Sequence, residues 1–145
     1  MIRSVLVICQ GNICRSPMAE GLLREALPGW SVQSAGLGAL IGEPADPIAV
    51  GLLAERGVNI SAHRAQQLTI FLADQADLIL VMDSDQKADV QRQYPQVSGK
   101  VFRLGEAGNV DIPDPYFKPR QAFEQVFELI QQGIGAWVNR LRALG

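Results

Sequence analysis

Residues 4–17 read S-V-L-V-I-C-Q-G-N-I-C-R-S-P and decide the fold. The first five, residues 4–8, are mostly β-branched and show no polar alternation, which is typical of a strand covered on both faces in a parallel sheet. Ser16 is an N-cap type and Pro17 is favoured at a helix's first position, so a helix is predicted from about Pro17. The segment therefore predicts a strand, a tight loop and a helix.

The remaining sequence continues this alternation. Further strands are predicted over residues 30–35, 77–82 and 100–104, and helices over about 17–27, 47–57, 83–94 and 123–141. Gly133 and Gly135 each weaken the last helix by roughly 1 kcal/mol relative to alanine. The apolar spacing therefore predicts which face of this helix is buried, but it does not predict that the helix is continuous. The predicted fold is α/β: one three-layer domain over residues 1–145, with a central four-stranded parallel sheet and helices on both faces.

Composition excludes several classes of function. The chain has 145 residues, of which 48% are hydrophobic and 19% charged, as expected of a globular domain. Its 13 Lys plus Arg against 15 Asp plus Glu give a net charge of −2, the wrong sign for a broad nucleic-acid or anionic-lipid surface. Two cysteines and one histidine are too few for a zinc, haem or iron–sulfur site, so no cofactor is expected. Without a membrane span or signal segment, we expect a cytoplasmic protein.

The loop after the first strand lies where ligands bind in such sheets, beyond the carboxyl ends of the strands. Its backbone N–H groups can converge near a helix N-terminus, where the helix dipole favours an anion. Gly11 and Asn12 tolerate the left-handed conformations of a tight loop, and Arg15 adds a planar fork for two phosphate oxygens. The sequence therefore predicts that phosphate or another oxyanion is bound by Gln10, Gly11, Asn12, Ile13, Cys14, Arg15 and Ser16.

Cys9 begins this loop, where the same groups stabilise a thiolate and the hydroxyl of Ser16 can donate to the sulfur. A lone cysteine after a buried strand is otherwise a core residue, and C-x5-R occurs by chance in many chains. The strand before the motif and the Ser-Pro helix start after it favour a nucleophile. Cys14 is either a small buried residue or the partner that traps oxidised Cys9 as a disulfide.

Cleavage of a phosphate ester also needs a proton donor for the departing oxygen, which the attacking thiolate cannot be. Asp114 stands between Pro113 and Pro115, whose rings restrict the backbone. The residues alone leave two interpretations open, a turn aspartate and a general acid. Asp83 likewise either caps its helix or supports the loop.

Three motifs resemble those of the low-molecular-weight protein tyrosine phosphatases: residues 9–20, residues 34–36 (Ser-Ala-Gly) and residues 114–116 (Asp-Pro-Tyr). The similarity runs nearly end to end. Residues 38–46 and 112–116 are most similar to the bacterial members associated with exopolysaccharide synthesis. The resemblance implies a phosphotyrosine protein as partner, and specifically a tyrosine autokinase.

The family's site residues fall on matching positions of this sequence. The resemblance implies Cys9 as nucleophile and Asp114 as general acid, acting through a phosphocysteine without a metal. It further implies that Asn12, Ser34 and His63 brace the loop through hydrogen bonds. From the residues alone, Ser34 is a strand-end serine and His63 a partly exposed loop histidine.

An aryl phosphate needs a deep, apolar-walled entrance, which Leu40, Tyr116 and Phe117 are expected to line. Aromatic residues are otherwise more often buried in the core. Leu40 stands where some family members carry tryptophan, and Phe117 where exopolysaccharide-type relatives can carry a basic residue. These two positions are where substrate preference is expected to differ.

Three other functions compete with this prediction. An arsenate reductase on the same scaffold would need a further cysteine outside the loop, and Cys9 and Cys14 are the only two. A catalytically silent phosphotyrosine reader would have lost Cys9 or Asp114, yet both are present. A redox sensor using Cys9 and Cys14 is compatible with phosphatase activity.

Overall fold

The computed structural model describes residues 2–144 and contains one parallel sheet. Its strands are β1 (Ser4–Cys9), β2 (Ser31–Gly36), β3 (Leu78–Val81) and β4 (Val101–Arg103), in the order β2-β1-β3-β4. Its α-helices are α1 (Arg15–Ala26), α2 (Pro47–Ala54), α3 (Ile70–Gln75), α4 (Ser84–Gln93) and α5 (Arg120–Leu144). Short 3-10 helices span Pro95–Lys100 and Glu106–Gly108. The predicted α/β class and its four-stranded parallel sheet are confirmed.

The alternation of side chains along β1 builds the two cores. Val5 and Val7 point into the core that α1, α2 and α5 cover, whereas Leu6 and Ile8 point into the core under α3 and α4. All four side chains are at most 2% exposed. Burial on both faces of the sheet explains why residues 5–8 are all apolar.

Helix α1 begins at Arg15, earlier than the predicted start at Pro17, and its N-cap is Cys14. Ser16 is therefore not the N-cap. Its hydroxyl is used instead by the side chains of Cys9 and Asn12, at 2.9 and 2.8 Å. The serine that the sequence offers as a cap is part of the loop's own hydrogen-bond network.

Several other boundaries differ from the pattern. The six-residue helix α3 is missing from the prediction, although Thr69 caps it by accepting from the N–H of Leu72. Strand β3 is shorter by one residue at each end than residues 77–82. At one end the Asp77 carboxylate accepts from the N–H groups of Arg3 and Ser4, and at the other the N–H of Met82 donates to the side chain of Gln86. Strands β2 and β4 differ from residues 30–35 and 100–104 by one residue at each end.

Helix α5 is continuous through both of its glycines. A Cβ atom at Gly133 would lie 2.8 Å from the carbonyl oxygen of Leu104, so this close approach requires glycine. Gly135 has open space around it and carries no such requirement. The stripe that begins at Phe123 and ends at Leu141 is buried along the helix, as its spacing predicts.

The sheet order places the functional loop. The chain passes from β1 to β2 on one side and then to β3 on the other, so the carboxyl end of β1 lies at the point where the strand order reverses. Cys9 is the last residue of β1, and the loop that follows it leads directly into α1. None of the helices within residues 2–144 is long and apolar enough to cross a membrane.

Candidate active site

The loop between β1 and α1 turns its carbonyl oxygens outward. The carbonyls of Cys9, Gln10, Gly11, Asn12 and Ile13 accept bonds from Leu37, Gly38, Leu40, His63 and Asp46, at 2.7–3.1 Å. Because the C=O and N–H of one trans peptide unit point in opposite directions, the N–H groups of residues 10–14 point toward the centre of the loop. The loop is thus a cradle of converging N–H donors at a helix N-terminus.

The sulfur of Cys9 lies in this cradle and is held by Ser16. The two side chains are 2.9 Å apart, and both are buried. Asn12 donates from its amide nitrogen to the Ser16 oxygen at 2.8 Å. Since that oxygen is already an acceptor, the Ser16 hydroxyl hydrogen is available for the sulfur. Asn12 therefore orients the Ser16 hydroxyl, the side-chain donor that reaches Cys9.

Asn12 is fixed by three hydrogen bonds besides the bond to Ser16. Its amide nitrogen donates to Ser34 at 2.9 Å, and its side-chain oxygen accepts from the N–H of Gln66 at 2.9 Å. The Nε2 of His63 donates to its carbonyl at 2.7 Å, and its φ of 59° is left-handed. Gly11 does not share this conformation, so the left-handed turn of the loop falls on Asn12. These contacts support the bracing role expected of Ser34 and His63.

Glu20 is a member of this network that the sequence does not single out. It is 9% exposed, accepts from the Ser34 hydroxyl and pairs with Arg24 at 2.6 Å. Its carboxylate also lies 4.0 Å from Nδ1 of His63. Glu20 follows Ser16 by four residues in α1, so both side chains lie on the same face of the helix. This spacing is the feature of the sequence from which the position of Glu20 could have been predicted.

Arg15 lies between the cradle and the opposite wall of the site. Its side chain is 4% exposed and donates to the carbonyl of Ile112 at 2.7 Å. The carboxylates of Asp83 and Asp114 each approach the guanidinium to 3.7 Å. Asp83 also caps α4 by accepting from the N–H of Gln86, so it fills both roles that the sequence leaves open.

Asp114 is carried to the site by the loop between β4 and α5. Its carboxylate accepts from the N–H of Tyr116 at 3.1 Å, which is the contact of an Asx turn. The Asp114 side chain is 47% exposed and faces Arg15. The stem of the loop is fixed just before it, where Ile112 donates to the carbonyl of Met82 at 2.9 Å. Asp114 thus lies beside the cradle although it follows Arg15 by 99 positions in the sequence.

The cradle, Arg15 and Asp114 surround a cavity of about 140 Å³. Leu40 and Tyr116 line it, and so do Gln10, Gly11, Ile13 and Gly38. Phe117 does not form the third wall that the sequence suggests. It occupies the third position of the turn over residues 115–118, is 89% exposed and packs its ring on Tyr116 from outside the cavity.

Cys14 also lines the cavity, but its environment differs from that of Cys9. Burial raises the pKa of the Cys14 thiol far above its ordinary range, and the nearby Asp46 adds to the effect. Cys14 therefore remains protonated at neutral pH and is not a second nucleophile in this state. Both cysteines are free thiols in the structure.

A thiol at the centre of converging N–H groups, with a buried arginine beside it and a carboxylate opposite, defines a cysteine-dependent phosphohydrolase. A family model for low molecular weight phosphotyrosine protein phosphatases matches residues 4–144, so the chain belongs to that family. It is a protein-tyrosine phosphatase.

Three similar proteins illustrate the relationship. The probable low molecular weight protein-tyrosine-phosphatase EpsP of Ralstonia nicotianae is 60% identical over 145 residues, which are 100% of both chains. The structure of the tyrosine phosphatase Wzb from Escherichia coli K30 in complex with sulphate has a TM-score of 0.94 and 40% identity, covering 97% of this chain and 99% of that one. The structure of Vibrio vulnificus Wzb in complex with benzylphosphonate has a TM-score of 0.93, the same identity and the same coverage.

Proposed function

We propose that this phosphatase hydrolyses phosphotyrosine through a phosphocysteine, with Cys9 as nucleophile, Arg15 as phosphate ligand and Asp114 as acid and then base. The observation that carries the proposal is the position of the Cys9 sulfur. It lies in the cradle of N–H groups, bonded to Ser16, with Arg15 and Asp114 lining the same cavity.

The first step transfers the phosphoryl group to the enzyme. A bond forms between the Cys9 sulfur and phosphorus while the bond from phosphorus to the phenolic oxygen breaks. The carboxylic acid of Asp114 gives its proton to that oxygen, so a neutral tyrosine leaves. The N–H groups of the cradle and the fork of Arg15 stabilise the equatorial oxygens in the transition state.

The second step restores the enzyme. Water attacks phosphorus, the Asp114 carboxylate takes a proton from that water, and the bond between sulfur and phosphorus breaks. Phosphate and the Cys9 thiolate are the products. The bond from Ser16 stabilises the sulfur both as nucleophile and as leaving group.

The acid is tested by its dependence on the leaving group. Asp114→Asn is expected to lower kcat/KM for phenyl phosphate by about 10²- to 10⁴-fold, because the departing phenolate then lacks a proton donor. The loss for p-nitrophenyl phosphate should be smaller, since its leaving group departs readily without a proton. Steady-state hydrolysis of both esters in metal-free buffer measures the two effects.

Asp74→Asn is the matched control, because Asp74 is an exposed carboxylate on α3 and should leave both rates unchanged. Equal losses on both esters, or no loss on either, would contradict the role of Asp114.

We further propose that the natural substrate is a tyrosine autokinase of exopolysaccharide synthesis and that the enzyme acts in the cytoplasm. The resemblance of residues 38–46 and 112–116 to exopolysaccharide-associated phosphatases supports this partner. The purified, autophosphorylated kinase should lose its phosphotyrosine when mixed with the enzyme and keep it when mixed with Cys9→Ser. Phosphotyrosine that survives the active enzyme while p-nitrophenyl phosphate is hydrolysed would exclude this partner.

A further inference from the structure

Two loop tips next to the catalytic cavity expose apolar side chains. Leu40 and Tyr116 line the cavity, and the residue after each is strongly exposed: Ile41 is 71% and Phe117 is 89% exposed. Among residues 2–144, six large apolar side chains are exposed, and three of them, Leu40, Ile41 and Phe117, belong to these two tips. Half of the exposed large apolar side chains thus lie on the two segments that supply cavity walls.

The Phe117 tip is held in a conformation that disfavours its own side chain. The N–H of Lys118 donates to the carbonyl of Pro115 at 2.9 Å, which closes a tight turn with Phe117 in its third position. The φ of Phe117 is 65°, a left-handed value for which glycine or asparagine is the usual residue. Its ring packs on Tyr116 with the centroids 4.0 Å apart, and the rest of the ring is open. Neither turn geometry nor core packing accounts for an aromatic residue here.

The Ile41 tip has the same construction. The N–H of Glu43 donates to the carbonyl of Leu40 at 3.0 Å, and Gly42 takes the left-handed third position with a φ of 84°. Ile41 is at the second position of this turn, where the turn geometry does not require an apolar side chain. The tip is anchored to the cradle, since the N–H of Leu40 donates to the carbonyl of Gly11 at 3.1 Å.

We propose that Ile41 and Phe117 bind apolar side chains that flank the phosphotyrosine in the substrate polypeptide. The inference rests on the proposed function, since a phosphotyrosine in contact with Cys9 must pass between Leu40 and Tyr116. Its neighbours in the sequence then emerge at the residues that follow these two walls. Neither tip offers a charged side chain at residues 40–42 or 115–117, so burial of apolar surface is the recognition available there.

The test compares two phosphotyrosine peptides that differ in the residues on either side of the phosphotyrosine, leucine in one and serine in the other. The wild type should prefer the leucine peptide by about tenfold in kcat/KM, which is the scale of partial burial of one or two aliphatic side chains. Phe117→Gly and Ile41→Ser should each reduce this preference to about threefold or less. The rate on p-nitrophenyl phosphate is measured for each variant as the internal standard.

Phe117→Gly also separates recognition from folding. Glycine is free to adopt a φ of 65°, so the thermal unfolding temperature of this variant should equal or exceed that of the wild type while the preference falls. Phe71→Ser is the matched control. Phe71 is 67% exposed but lines a groove with the first residues of β1 and β2, Ser4 and Ser31, away from the cavity, so its replacement should leave the preference intact.

A wild-type preference near one, or a preference that survives in Phe117→Gly, would overturn the inference. Concentration-dependent self-association that Phe117→Gly abolishes, together with a preference near one, would assign the tips to a second copy of the chain. Hydrolysis of p-nitrophenyl phosphate with no peptide preference would overturn this inference alone. No hydrolysis of any aryl phosphate by the folded, reduced enzyme would overturn the proposed function as well.

Discussion

Cys9→Ser is expected to lower kcat for aryl phosphates by about 10⁴-fold or more, because the serine hydroxyl is not ionised and no other group in the cavity replaces the thiolate. Cys14 does not replace it, since burial keeps that thiol protonated. Metal-free hydrolysis of p-nitrophenyl phosphate measures the loss. Residual turnover within about tenfold of the wild type would contradict the assignment of Cys9 as nucleophile.

The same variant should still bind an anion. The N–H groups of residues 10–14 and the guanidinium of Arg15 are unchanged by the exchange of sulfur for oxygen. Titration calorimetry with inorganic phosphate is therefore expected to give binding by Cys9→Ser, and circular dichroism should give an unaltered fold. Loss of both turnover and phosphate binding would mean that the substitution disrupts the loop, and the kinetic result would then say nothing specific about the nucleophile.

Arg15→Lys is expected to lower kcat/KM by about 10²- to 10³-fold although the positive charge is kept. Lysine lacks the planar fork that contacts two phosphate oxygens at once. It also loses the geometry with which Arg15 donates to the carbonyl of Ile112 while lying 3.7 Å from both Asp83 and Asp114. Steady-state kinetics with p-nitrophenyl phosphate measures the effect.

Arg92→Lys is the control for this substitution. The Arg92 side chain is 68% exposed and pairs with Asp89 on the surface of α4, so its exchange should change neither the rate nor the stability measurably. An Arg15→Lys variant with nearly wild-type kcat/KM would show that charge alone, and not the fork, is what the reaction requires of Arg15.

The part of the fold that the sequence predicts best is the part with the strongest local signals. Residues 4–8 are buried on both faces of the sheet, so their apolar pattern has no interruption, and the strand they form is observed. Helix α3 has six residues, too few for an apolar period to appear, and only its Thr69 cap marks it. The predicted start of α1 is wrong because the Ser16 hydroxyl forms a hydrogen bond with the Cys9 sulfur and does not cap the helix.

The candidate site divides in the same way. The Cys9 to Ser16 loop is contiguous, so its chemistry can be inferred from its residues together with the strand predicted before it and the helix predicted after it. Asp114 is distant in the sequence, and only the resemblance to a family assigned it before the structure placed it beside Arg15. Glu20 was not predicted because its role depends on Ser34, which β2 brings to it. The orientation of Phe117 depends on the turn at residues 115–118, in which Phe117 is left-handed. The sequence does not predict this conformation because the turn has no glycine or asparagine.

The phosphocysteine intermediate can be trapped during turnover and assigned to a residue. A rapid acid quench of the enzyme during turnover of p-nitrophenyl phosphate, followed by peptide mapping, is expected to find the phosphoryl group on Cys9. Asp114→Asn should increase its amount with this good leaving group, because the water that hydrolyses the intermediate then lacks a base. A phosphoryl group on any other residue, or none while turnover proceeds, would contradict the mechanism.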